Sequence, residues 1–366
     1  MLEKMRFVLA LLLAASTAAA QAPSAEQLFR EAVAAQQRGD ETAAIAKYRE
    51  LLKLRPDVLE VRANLGAALA RAGRFDEAIE QYRAALAKDS SNTALRMNLA
   101  LAYYKKGDFA EAAKELEPLR RAAPTDPRIT TLLGDSYVHV DRNDQAIVVL
   151  TPAERAHPDD LGVAWTLGTA MIRAGQTRPG LDRVERVAKA GNSAEAWLLA
   201  GQTLLKLNEF ERARDAADAA LKLDPRLPGV QTLRGQVLPY LGDDQGAIDA
   251  LEKALAADPK DFDAHLNLGA VLQTQRDLER ARPHIERALA LRPDSAMARY
   301  EMGRLERAEG KVEAAIRDFE TVIRAEPNWA QPHLELSALY YRAGRQPEGD
   351  RERAAYERLN APPAKR

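Results

Sequence analysis

A period of 34 residues runs through this chain and limits what it can become. The stretch ANLGAALARAGRFDEAIEQYRAAL at 63–86 returns as LNLGAVLQTQRDLERARPHIERAL at 266–289, and units in one register begin at residues 25, 59, 93, 127, 161, 194, 228, 262, 296 and 330. The fifth unit, 161–193, is one residue short. A repeat of this length holds one supersecondary element, too small to bury its own apolar face, so neighbouring units must cover one another.

Small residues punctuate every unit. Position 8 is Ala32, Gly66, Ala100, Gly134, Gly168, Gly201, Gly235, Gly269, Gly303 or Ser337, and position 20 is Ala in eight units, with Gly180 and Gly349 in the others. Small side chains at one point on each of two helices predict a close crossing, which a larger residue would overpack by about 1–3 kcal/mol. Position 15 holds Gly39, Gly73, Gly107, Gly175, Gly242, Gly310 and Gly344, with Asp141 and Asn208 in two other units. These residues tolerate the left-handed backbone that closes a helix, so a first helix should end there; Arg276 breaks the rule. Prolines at position 32 (Pro56, Pro124, Pro158, Pro225, Pro259, Pro293 and Pro327) stop a second helix before the next unit. Pro118 and Pro152, inside successive second helices, predict kinks and mark 118–193 as the least regular stretch, and Pro283 is a further interruption.

With an aromatic or aliphatic residue at position 24 (Tyr48, Tyr82, Leu116, Leu150, Leu251, Phe319), this pattern resembles the tetratricopeptide repeat over residues 25–359. The tryptophan usual at position 4 stands only at Trp197, where other units have Leu28, Arg62, Thr130 or His265. The resemblance implies an all-α fold, a right-handed superhelical solenoid of about ten helix-turn-helix repeats with the first helices lining its inner side. In the last helix Arg353 replaces a buried apolar residue, as a terminal cap facing water requires.

Composition agrees with helices and narrows the chemistry. Aromatics are 5% of residues against 29% charged, and 53 Lys and Arg are interleaved with 54 Asp and Glu, which leaves no basic field to attract nucleic acid. The absence of cysteine removes disulfides, thiolate metal sites and cysteine nucleophiles. The five histidines, His139, His157, His265, His284 and His333, are scattered, with no HExxH, and no nucleophile elbow, phosphate loop or dinucleotide fingerprint occurs. Gly134 to Tyr137, GDSY, are the ordinary small and aromatic positions of a repeat and not an esterase motif. The expectation is therefore no enzyme, no cofactor and no metal.

Residues 1–20 have the form of a secretory signal peptide: Lys4 and Arg6 precede the apolar run FVLALLLAA, and Ala18 and Ala20 supply a cleavage pattern. Met5 is an equally good start. Export to the periplasm, a short linker at 21–24 and a disordered tail at 360–366 are expected, and no other segment is apolar enough to span a bilayer.

Positions 2, 5, 9, 12 and 13 of each first helix share one side and point inward. They carry Phe29, Met97, Tyr104, Trp165, Tyr240, Tyr300 and Tyr341, with Arg173, Lys206, Arg304, Arg307 and Arg342 among them. Position 6 adds Asn64, Asn98 and Asn267, whose amides can pair with a peptide main chain. That ladder is broken by Leu132, Thr166, Leu199 and Leu233, and the Lys and Asn set of the family's carboxylate clamp is missing. These residues predict a protein-interaction scaffold of the bacterial cell envelope that holds an extended peptide or a partner helix. A carbohydrate-binding or polysaccharide-export accessory protein and a purely structural oligomer are the alternatives.

Overall fold

The computed structural model describes residues 23–361, and every regular element in them is helical. The expected signal peptide at 1–20, the start of the linker and residues 362–366 of the tail lie outside the described residues. The chain divides into two compact units between Arg173 and Ala174, within the short fifth repeat.

In unit 1, α1 (Ala25–Gln37) pairs with α2 (Glu41–Leu54), α3 (Leu59–Arg71) with α4 (Phe75–Leu86), α5 (Thr93–Lys106) with α6 (Phe109–Ala122) and α7 (Pro127–His139) with α8 (Asn143–Ala156), and α9 (Leu161–Arg173) completes it. Unit 2 opens with α10 (Thr177–Ala190). It continues with the pairs α11 (Ala194–Lys206) and α12 (Phe210–Leu223), α13 (Val230–Val237) and α14 (Asp244–Ala257), α15 (Phe262–Thr274) and α16 (Leu278–Leu291), α17 (Ala296–Ala308) and α18 (Val312–Ala325), and α19 (Ala330–Arg342) and α20 (Gln346–Leu359). Each helix is too short to persist alone in water, so its stability comes from its neighbours. Side-chain oxygens cap many N-termini: Ser24 accepts from the Gln27 N–H at 3.1 Å and Asp40 from that of Ala43 at 2.9 Å.

Position 8 receives the side chain of position 24. A Cβ on Gly66 would lie 2.7 Å from the Tyr82 ring, and one on Gly134 would lie 2.5 Å from Cγ of Leu150. In the α11–α12 pair, position 24 is the small Ala217, and Leu233 of the next pair fills the space at Gly201 instead. The core is accordingly spread along the chain. One cluster runs from Leu28 to Ala112 in unit 1, and separate clusters gather around Leu251 and Phe319 in unit 2.

Position 4 has a use that the sequence pattern hides. Arg62 donates to Gln81 of its own pair at 3.1 Å and to the Pro56 carbonyl of the preceding turn at 3.0 and 3.2 Å. Arg96 joins Glu115 and the Ser90 carbonyl in the same way, Arg299 joins Asp318 and that of Pro293, and His333 joins Glu352 and that of Pro327. His265 faces His284 with Nδ1 atoms 3.0 Å apart and reaches the Pro259 carbonyl at 3.3 Å. A polar clasp thus replaces the family's tryptophan in these repeats.

Several local expectations change. α6, α8 and α16 run unbroken through Pro118, Pro152 and Pro283, because a proline forfeits one bond while the flanking turns stay packed. The irregular first helix is that of the seventh repeat. Gly229 takes φ 84 and delays α13 to Val230, two residues past the repeat start. Pro239 then has no N–H for the Gly235 carbonyl, and Leu238–Leu241 closes as a 3₁₀ turn. Arg276 is no exception in backbone terms: at φ 64 it adopts the left-handed conformation that glycine holds elsewhere. α20 buries only Gly349, and Arg353 is exposed beside Glu357, as a cap requires.

Candidate functional site

Among the described residues the first helices line a groove in each unit, and the inward-facing residues separate according to whether the chain itself already uses them. In unit 1, α5 and α7 enclose adjoining cavities of about 500 and 560 Å³ that share Met97, Asn98 and Arg128. Leu119, Ala122 and Ile129 floor the first, and Leu101, Thr131 and Leu132 line the second. Asn98 is exposed, and its amide engages no described residue. Arg128 stands between the cavities, 3.6 Å from Asp126.

In unit 2 a groove of about 560 Å³ crosses α11, α13 with its 3₁₀ turn, and α15. Tyr240 and Asn267, both inward positions, meet there with Gln202, Lys206, Gln236 and Asp263. Burial, helped by Asp261, pushes the Asp263 carboxyl above its ordinary range, against the pull of Arg292.

Most of the remaining inward residues are engaged within the protein. Phe29 packs edge-on against Tyr48 with centroids 6.3 Å apart, and the Tyr48 hydroxyl, beside which Asn64 lies, donates to Gln36 at 2.7 Å. Tyr104 donates to Asp135 at 2.6 Å and meets Phe109 edge-on; burial and that carboxylate raise its pKa. Arg173 donates to the Val138 carbonyl at 3.0 Å. Tyr300 lies between Phe319 and Trp329, with centroids at 5.5 and 4.6 Å, and burial raises its pKa. Arg304 pairs with the buried Glu301 at 3.0 Å, Arg307 with Glu335 at 2.5 Å, and Tyr341 donates to Asp350 at 2.7 Å. Trp165 is half-buried on α9 and lines neither groove.

Sequence reasoning missed Phe210, which stacks on Tyr240 with centroids 4.2 Å and planes 1° apart. A signal existed. Phe109 and Phe210 both occupy position 17, and each stacks on position 13 of the next repeat, His139 in one case and Tyr240 in the other. The GDSY serine is structural: Ser136 is buried and donates to the Leu132 carbonyl at 2.7 Å. No group of three or more metal-ligating side chains occurs among the described residues, and no helix there is long and apolar enough to cross a membrane.

Models of the tetratricopeptide repeat match residues 29–93, 69–135, 194–227, 269–328 and 300–361, and a model of the TPR repeat matches 235–275. No curated protein matches the chain. Among solved structures, the APC/C hetero-tetramer Cut9–Hcn1 is similar over 93% of this chain and 88% of that chain, with a TM-score of 0.57 at 13% identity, a likeness of fold alone. MamA from Desulfovibrio magneticus RS-1 is 23% identical over 45% of this chain and 94% of that chain, with a TM-score of 0.40. YrrB, described as a TPR protein with an unusual peptide-binding site, is 24% identical over 48% and 91%, with a TM-score of 0.38.

Proposed function

Because the chain belongs to the tetratricopeptide repeat family, we propose that it is a non-enzymatic scaffold that holds an extended segment of a partner protein along its first helices. The observation that carries this reading is the groove at Met97 and Asn98. Its two cavities, floored by aliphatic side chains, offer places for two apolar side chains of one strand, and the ridge between them carries an amide that can donate to and accept from the strand's main chain. Phe29, Tyr104, Tyr300, Tyr341, Arg173, Arg304 and Arg307, being engaged with their own chain, set the shape of the first helices instead of reading the ligand.

We further propose that the protein acts in the bacterial periplasm. The supporting feature is the sequence of residues 1–20, and Edman sequencing of the protein from a periplasmic fraction should then begin at Gln21.

The scaffold reading is tested by a photo-crosslinking residue at position 98 in intact cells, identification of the captured segment, and titration of that segment against purified protein. Met97→Ala with Asn98→Ala should weaken binding about tenfold or more, equal to about 1.4 kcal/mol, with the thermal midpoint unchanged. A captured segment that binds the double variant as tightly as the parent protein overturns the reading.

A further inference from the structure

The groove of unit 2 differs in chemistry from that of unit 1. Its organising feature is a ring that the backbone has been bent to present. The 3₁₀ turn at Leu238–Leu241, which contains Pro239 and ends at Gly242 with φ 78, carries Tyr240. Phe210 backs one face of the ring in parallel contact, yet Tyr240 remains 64% exposed. A flat aromatic face is thereby held rigid and open to water.

The groups around the ring are polar and mostly free. The amides of Gln202 and Gln236 and the Lys206 ammonium bond to no described residue. Asn267 gives Nδ2 to the Asp263 carbonyl at 2.7 Å, which leaves its Oδ1 as an acceptor. One cation and one carboxylate balance, so the groove favours a neutral ligand. Leu205 is its single aliphatic side chain, and no apolar hole is present to receive a peptide side chain.

A ligand that matches these groups has a flat C–H surface on one side and groups that both donate and accept around its edge. A pyranose has both. Its axial C–H bonds, slightly positive, lie on the negative face of an aromatic ring, and its hydroxyls pair with amides in either direction. We propose that this groove binds a neutral oligosaccharide, one sugar ring stacked on Tyr240 and its hydroxyls shared among Gln202, Gln236 and Asn267. The site is separate from Met97 and Asn98, so this proposal and the peptide reading can fail independently.

The test is a titration of the whole protein with cellohexaose, maltohexaose and chitohexaose, and with a six-residue Gly-Ser peptide as control, followed by amide NMR and calorimetry. At least one hexasaccharide should shift the side-chain amides of Gln202 and Gln236. Tyr240→Ala should weaken that binding about tenfold or more. Tyr240→Phe, which keeps the ring, should retain it. Because Tyr240 is exposed, a thermal midpoint unchanged in both variants separates loss of binding from loss of fold. The proposal is overturned if none of the three sugars shifts these amides at millimolar concentration, if Tyr240→Ala binds as tightly as the parent, or if the peptide shifts the same resonances and the sugars do not.

Discussion

The branched carbon of Leu150 occupies the space that a β-carbon on Gly134 would need: a Cβ there would stand 2.5 Å from Leu150 Cγ. Two opposing effects decide what Gly134→Ala does. Alanine favours the helix by up to about 1 kcal/mol, while overpacking a close crossing costs about 1–3 kcal/mol. Overpacking should win because Leu150 is fully buried and its branch point cannot swing aside. Urea unfolding should show a net loss of about 1 kcal/mol for Gly134→Ala, and in a Leu150→Ala background the same change should become neutral or stabilising. A loss of equal size in both backgrounds would place the strain elsewhere.

Arg276 holds a left-handed backbone that costs an ordinary residue roughly 1–2 kcal/mol relative to glycine. Arg276→Gly should therefore raise the unfolding free energy by about 1 kcal/mol, although glycine recovers more entropy on unfolding. Thermal unfolding of the variant, read at equal salt, checks the sign.

The His265–His284 clasp should be sensitive to acid. Nε2–H of His265 points to the Pro259 carbonyl, so its Nδ1 accepts from Nδ1–H of His284. Burial, then the neighbouring His265 and Arg280, hold the His284 pKa below its ordinary value, with Glu252 of α14 acting in the opposite direction. From α17, Arg299 is turned away to Asp318 and the Pro293 carbonyl. A base whose folded pKa is depressed binds fewer protons folded than unfolded. Its stabilisation is complete above about pH 6.5 and is lost as pH falls through the lowered folded value. His284→Gln restores the Arg62–Gln81 type of partner and should flatten stability against pH between 7.5 and 5. A slope equal to that of the parent protein would remove the pair from the account.

Glu306 should respond in the opposite direction. It stands at position 11, where neighbouring repeats bury Leu272 and Tyr340, and one of its carboxylate oxygens is buried without a partner. Burial and the nearby Asp318 raise its pKa, so the folded state binds the extra proton and acid relieves a cost present at neutral pH. Glu306→Leu should stabilise the protein at pH 7 by about 1 kcal/mol, the low end for an unsatisfied buried group because the residue is only partly buried. The gain should shrink toward pH 4, which denaturant titrations at the two pH values would reveal.

Many helix ends could be read from the sequence because left-handed closers and prolines act within a few residues of where they are written. The small residues at positions 8 and 20 announced a close crossing, but that position 8 meets position 24, as at Gly66 and Tyr82, appears only in the structure. The binding residues were only half legible. Helical spacing says which side of a helix Tyr300 and Tyr240 occupy, but one ring is enclosed by Phe319 and Trp329 and the other is left open. What separates them is tertiary: neighbouring rings enclose Tyr300, whereas Phe210 covers only one face of Tyr240. The clasp at position 4 was illegible for a similar reason: its second partner is a carbonyl, which every residue has and no sequence marks.

That clasp gives the array a grain. Arg62, Arg96, His265, Arg299 and His333 all reach back to a carbonyl in the turn before their own first helix. Synthesis runs from the amino end, so at each of these junctions the anchor leaves the ribosome before the hand that grips it. At those five junctions a newly made first helix finds its anchor already in place, and a repeat added at the carboxyl end leaves none of these grips empty.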